Sequence, residues 1–197
     1  MFNVYDVNTT DFNHWERKNI HFGNWNNIYQ FKIKERYINK IGHFEFKVLY
    51  NMICCKKNLS TWKLCDSNLC TFCNVLDDYE HFFVRCKRNK NLWLQLSNYV
   101  KTVKNENLDI SLKHVIGGWN IENKEYYFIN ILIEIASFAI YKSKMIYNQT
   151  NKNMPNTLLF IQELKKLDEI SSKAKLKPNF KINKKDLETC KIFWNII

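Results

Sequence analysis

The sequence predicts a mainly α-helical fold, a helical domain interrupted by one small irregular insert. Three observations predict it. Apolar residues recur at three- and four-residue spacings along most of the chain, the period of an amphipathic helix. Only 4 Gly and 2 Pro occur in 197 residues, which is few for a hairpin-rich β fold. Apolar side chains make up 46% of the chain, with 14 Phe, 10 Tyr and 6 Trp, enough for one core or two small lobes and too many for a disordered chain.

Residues 1–55 read as an N-terminal helical approach segment. Within it, 25–31 form a short helix and 42–54 a fuller one, with Phe44, Val48, Leu49 and Met52 on one side. Residues 56–104 hold the insert and the basic helix that follows it. There 56–78 are loop or short extended pieces, including the turn at Ser60, Thr61 and Trp62. From Tyr79 the chain becomes helical to about Val103, where Leu92, Trp93, Leu96, Tyr99, Val100 and Val103 make one apolar face. Residues 105–197 form a C-terminal helical segment.

Gly117 and Gly118 read as a turn before Trp119. The stretch 122–149 is the longest helical pattern, with Phe128, Leu132, Ile135, Phe138 and Ala139 on one face and Asn130, Glu134, Ser137, Tyr141 and Lys144 on another. Its apolar run, 126–141, is too short for a bilayer, which takes about 20 apolar residues, and Asn130 and Glu134 interrupt it. It is therefore expected to be the central core helix. Pro155 opens the next helix at its first turn, with Phe160, Leu164 and Leu167 inward. Residues 171–177 form a basic linker. Asn183 caps a last helix whose stripe is Leu187, Cys190, Phe193, Trp194 and Ile197.

The insert carries the chemistry. Cys70, Cys73, His81 and Cys86 spell C-x2-C-x7-H-x4-C, four soft or borderline ligands in close succession. Three thiolates and an imidazole suit a structural Zn²⁺, bound tetrahedrally at ~2.0–2.3 Å with no position left open for water. The competing reading is four ordinary buried residues, because free Cys packs well in cores. On an ideal helix, positions five apart point ~140° away from each other, so His81 or Cys86 must lie at a helix edge to share a metal. Cys65 is a substitute ligand candidate. Cys54, Cys55 and Cys190 read as core residues, and His14, His21, His43 and His114 are assigned no chemistry. Seven Cys is an odd number, and residues 1–5 carry no secretion signal, which points to reduced thiols in an intracellular compartment, nucleus or cytoplasm.

Charge is unevenly distributed. Residues 1–86 hold 11 Lys and Arg against 9 Asp and Glu, whereas residues 87–197 hold 19 against 10. Among the basic residues only Arg17, Arg36, Arg85 and Arg88 are Arg. Lysine meets phosphate as a point charge without reading base edges, so the expected partner is RNA or single-stranded DNA with weak sequence preference. The candidate contacts are Lys87, Arg88, Lys90, Lys101 and Lys104, with Trp62 as a base-stacking aromatic. A lysine-rich solvated face is the plain alternative.

The runs Leu69-Cys70-Thr71-Phe72-Cys73-Asn74 and Glu80-His81-Phe82-Phe83-Val84-Arg85-Cys86, followed by Leu92-Trp93, resemble the cysteine-rich CCHC region downstream of the polymerase in LINE-type (non-LTR) retrotransposon reverse transcriptases. The stretches 25–29, 44–53 and 130–144 are similar to the helices flanking that motif. The resemblance covers about residues 24–150. It implies a zinc-binding, nucleic-acid-binding accessory domain that works with the polymerase part of a retroelement protein. The polymerase itself is not expected here. The only Asp-Asp pair, Asp77-Asp78, lies inside the cysteine motif, and neither proline is followed by the Asp of the nuclease found in some relatives. No catalytic residue is assigned, and the chain is expected not to be an enzyme. A protein-interaction module derived from a retroelement remnant is the alternative function.

Overall fold

The computed structural model describes residues 13–34, 39–172 and 182–195. Nine α-helices run through these residues: α1 (Asn13–Glu16), α2 (Trp25–Tyr29), α3 (Asn39–Leu49), α4 (Lys56–Thr61), α5 (Lys90–Lys104), α6 (Leu112–Gly117), α7 (Tyr127–Thr150), α8 (Asn156–Ser172) and α9 (Lys184–Phe193). Among the described residues there is no strand beyond one isolated antiparallel bridge, Leu69 with Leu76. The fold is mainly α with a small irregular cysteine-rich region, as the periodicity predicts.

Helix α7 is the hub. It packs on α3, α5, α6 and α8, and on the π-helical turn of the insert, with α8 its most extensive neighbour. Because neighbours surround it, residues on both of its faces are buried, including Asn130, Glu134, Ser137 and Lys144. Two of these polar groups are compensated in ways that tie elements together. Glu134 lies 3.6 Å from Lys32, which also bonds Glu45 at 2.8 Å and donates to the Val115 carbonyl at 2.9 Å. Asn130 bonds both backbone groups of Trp119, accepting from its N–H at 2.6 Å and donating to its carbonyl at 2.8 Å. Buried polar groups persist where such partners exist. No helix among the described residues is long and apolar enough to cross a membrane.

Inward stripes match the sequence pattern in α5 (Leu92, Trp93, Leu96, Tyr99, Val100), in α8 (Phe160, Leu164, Leu167) and in α9 (Leu187, Cys190, Trp194). Asn183 caps α9, its side chain accepting from Lys185 N–H. Buried apolar residues from Trp15 to Trp194 form one contiguous cluster.

Several expectations are corrected. Met52 and Val103 face solvent, Met52 because the helix already ends at Leu49. The stretch from Tyr79 to Val103 is not one helix: a π turn (His81–Arg85), an extended Cys86 and a 3₁₀ turn (Lys87–Asn89) precede α5. The reading of 56–78 as loop or short extended pieces is corrected at its start, where α4 forms, and α1 and α6 carry no sequence signal either, because four to six residues are too few to show a period. Pro155 sits just before α8 and accepts the Leu159 N–H, instead of lying within its first turn. Of the linker at 171–177, residues 171 and 172 belong to α8 and the rest lie outside the described residues, as does Ile197.

Candidate metal centre

The insert is built from the backbone upward. Asn68 to Asp77 fold back on themselves: Cys70 N–H bonds Val75 O at 2.7 Å, and Asp77 N–H bonds Asn68 O at 3.0 Å. The tip closes with Asn74 N–H on Cys70 O at 2.9 Å, Asn74 itself taking φ +54. Asparagine tolerates this left-handed conformation because its short side chain bonds locally. The tight turn presents Cys70 and Cys73 on one side.

The second pair comes from the π turn. Cys86 N–H bonds His81 O at 2.9 Å, an i→i+5 closure. Such a turn advances ~82° per residue against 100° in an α-helix, so positions five apart finish ~50° apart and not ~140°. Cys86 then leaves the turn at φ −60, ψ 131, which is extended backbone. The angular conflict in an H-x4-C spacing is thus resolved by one extra residue per turn. His81 N–H is held by Asp78 Oδ1 at 2.9 Å, which fixes where the turn starts.

The ligand atoms of Cys70, Cys73, His81 and Cys86 all lie within 4.8 Å of one another, close enough to hold one metal ion. The Cys86 sulfur is 4.0 Å from Cys70 and 3.7 Å from Cys73. Tetrahedral bonds of ~2.3 Å place sulfurs ~3.8 Å apart, whereas a disulfide needs ~2.05 Å. All seven cysteines are free thiols. His81 is buried, and its Nε2 has no hydrogen-bond partner among the described residues, an otherwise costly orphan that a metal would satisfy. The donor set therefore fits a soft or borderline cation.

The thiols of the cluster titrate unequally. The Cys86 thiol hydrogen-bonds Cys70 and pulls the Cys70 pKa down, against the effect of burial; the same bond, with burial, pushes Cys86 up. Lys144 favours the thiolate form of both. That lysine is itself buried, bonded to Asp77 Oδ1 at 3.0 Å and set 3.9 Å from the Phe82 ring centroid. Asp77 Oδ2 accepts the Lys56 N–H at 3.1 Å, so one carboxylate joins the insert to α7 and to the start of α4.

The nucleic-acid candidates fall into four groups. Lys87, Lys90 and Lys101 are exposed and make no ion pair among the described residues. Lys104 is half-buried, 3.8 Å from Glu125 and over the Tyr126 ring. Arg88 is employed inside the protein: its guanidinium donates to Ser143 Oγ at 2.9 Å and Met154 O at 3.0 Å, and lies 4.0 Å from the Phe72 ring centroid. It staples the insert to α7. Trp62 follows α4 and is 45% exposed. Cys65 bonds Ser67 O at 3.1 Å and stays out of the cluster. Cys55 and Cys190 are buried, whereas Cys54 is half-buried in the loop before α4.

Sequence reasoning missed Asp77, Lys144, Phe72 and Tyr147, the last two in ring contact at 4.5 Å. Only Lys144, a charge in an apolar helix, carried a signal. Comparisons with protein-family models, with curated proteins and with solved structures find no match.

Proposed function

We propose that the four converging ligands hold a structural zinc ion and that the chain is a nucleic-acid-binding accessory domain, akin to the CCHC region that follows the polymerase in LINE-type reverse transcriptases. The observation that carries this reading is the convergence of Cys70, Cys73, His81 and Cys86 in the spacing that the resemblance rests on. When bound, zinc would supply a four-way cross-link and no open coordination position, a structural role and not a hydrolytic one. The chain's own residues do the rest. The π turn and Cys86 set the start of α5, and Lys144 with Asp77 and Arg88 with Phe72 fix the insert against α7.

With that start fixed, Lys90 and Lys101 lie ~20° apart around α5 and ~16 Å apart along it. Lys87 stands just ahead of them, and no acidic residue intervenes. This row supports backbone contact with a single strand and little base discrimination.

The test is the salt dependence of binding to a generic RNA or DNA single strand. The parent should show a steep slope of log affinity on log salt. K87Q/K90Q/K101Q should flatten it by up to about 2, at ~0.7 per phosphate contact. An unchanged slope in the triple variant, or binding indifferent to salt in the parent, rejects the nucleic-acid reading and leaves an interaction module.

A further inference from the structure

A cleft of about 580 Å³ opens between the segment after α1, the start of α4, the approach to the π turn and the start of α6. Small-ligand sites span ~300–1,000 Å³, so the size suits a compact ligand. Lys18, Lys57 and Lys113 reach it from three separate segments, and Tyr79 forms part of its wall.

Lys18 is held in place there. Its ammonium lies 4.8 Å from the Trp15 ring centroid and 5.2 Å from that of Tyr79, and it donates to Asn51 Oδ1 at 3.3 Å. Rings and an amide orient an ammonium without neutralising it. Lys57 and Lys113 make no ion pair among the described residues. Two acids also line the cleft: Glu80 pairs with Arg85 at 3.2 Å, while Asp78 accepts the His81 N–H at 2.9 Å and keeps its charge, which leaves the three lysines in excess over it. Lys18 is exposed; partial desolvation and repulsion from Lys57 lower its pKa, against the opposing pull of Cys55 and Asp78.

We propose that this cleft binds a phosphate group, carried by a nucleotide or by a nucleic-acid backbone. Phosphate brings more than one negative charge and several acceptor oxygens, which three point-charge ammoniums can share from different sides. A lone carboxylate would satisfy one of them. The site is separate from the lysines of α5, so its failure leaves the reading of that helix standing.

The experiment is calorimetric titration at constant ionic strength with inorganic pyrophosphate and, separately, with a thymidine oligonucleotide. The proteins are the parent, K18Q/K57Q/K113Q, and the charge-matched control K124Q/K152Q/K165Q. K57Q/K113Q is included because it leaves the Lys18 packing intact. Pyrophosphate should bind the parent about tenfold more tightly than the cleft triple variant, and the double variant should fall between them. The control should stay within about twofold of the parent. Oligonucleotide affinity that drops in step marks the strand as the phosphate source; unchanged oligonucleotide affinity marks a free phosphate compound. A parent that does not bind pyrophosphate, or equal losses in cleft and control variants, overturns the proposal.

Discussion

Asn130 illustrates how single polar residues organise an apolar interior. Its amide bonds both backbone groups of Trp119, and Gly118 at φ +78 lets that turn approach: a Cβ on Gly118 would lie 2.8 Å from Asn130 Oδ1. Asn130→Leu strands two backbone groups and should cost about 2–4 kcal/mol in chemical unfolding. Glu163 is a second case. Burial pushes its pKa up, but hydrogen bonds from Lys166 and Lys142 outweigh burial and leave it below the usual carboxylate value. A carboxyl depressed on folding stabilises above its unfolded pKa, and that stability is lost as pH falls through the folded value. Acidification from about pH 6 to about pH 3 should therefore destabilise the parent more than E163Q, measured by thermal melts across that window. Equal pH dependence would show that the two lysines do not act on this carboxylate. Residue-scale chemistry was partly legible. Scarce glycine suggested scarce turns, yet Asn fills seven of the eight positive-φ positions held by non-glycine residues among those described. A loop-forming Asn looks like any other polar residue in a chain this rich in them.

At the scale of elements, the π turn is what converts a spacing into a site. The quartet itself was readable, because C-x2-C and the following His and Cys advertise a shared point. The turn was not, since an ideal α period is the only helical period a short segment suggests, and i→i+5 closure leaves no signature in residue types. Inserting an alanine after Val84 widens the spacing to H-x5-C, which leaves His81 and Cys86 ~120–130° apart whether the turn is π or α, and should lower metal affinity at least tenfold in a competition assay with a chromophoric chelator. Affinity equal to the parent would mean that the π turn does not place the ligands. Arg88 reads as a phosphate contact from its position in a basic run. Its partners within the protein come from α7 and the residues after it, distant in sequence, and no local pattern reveals them. Arg88→Ala should cost about 2–3 kcal/mol of stability through lost charged hydrogen bonds and the contact with Phe72.

The described residues are arranged around α7, on which α3, α5, α6, α8 and the π turn of the cysteine-rich insert converge. The mainly helical class was legible because long periodic segments leave little choice of fold. How the insert docks was not, because the Asp77–Lys144 pair joins residues remote in sequence. A metal at the quartet would make that docking a two-way coupling: ligand binding free energy becomes folding free energy of the insert. Zinc-edge X-ray absorption on the purified chain tests the central claim most directly. The account predicts about one zinc per chain, with three sulfur neighbours at ~2.3 Å and one nitrogen at ~2.0 Å, and loss of the metal in C73S or C86S but not in C65S. A chain that takes up no stoichiometric zinc under reducing conditions, or a shell of oxygen and nitrogen without sulfur, would contradict it.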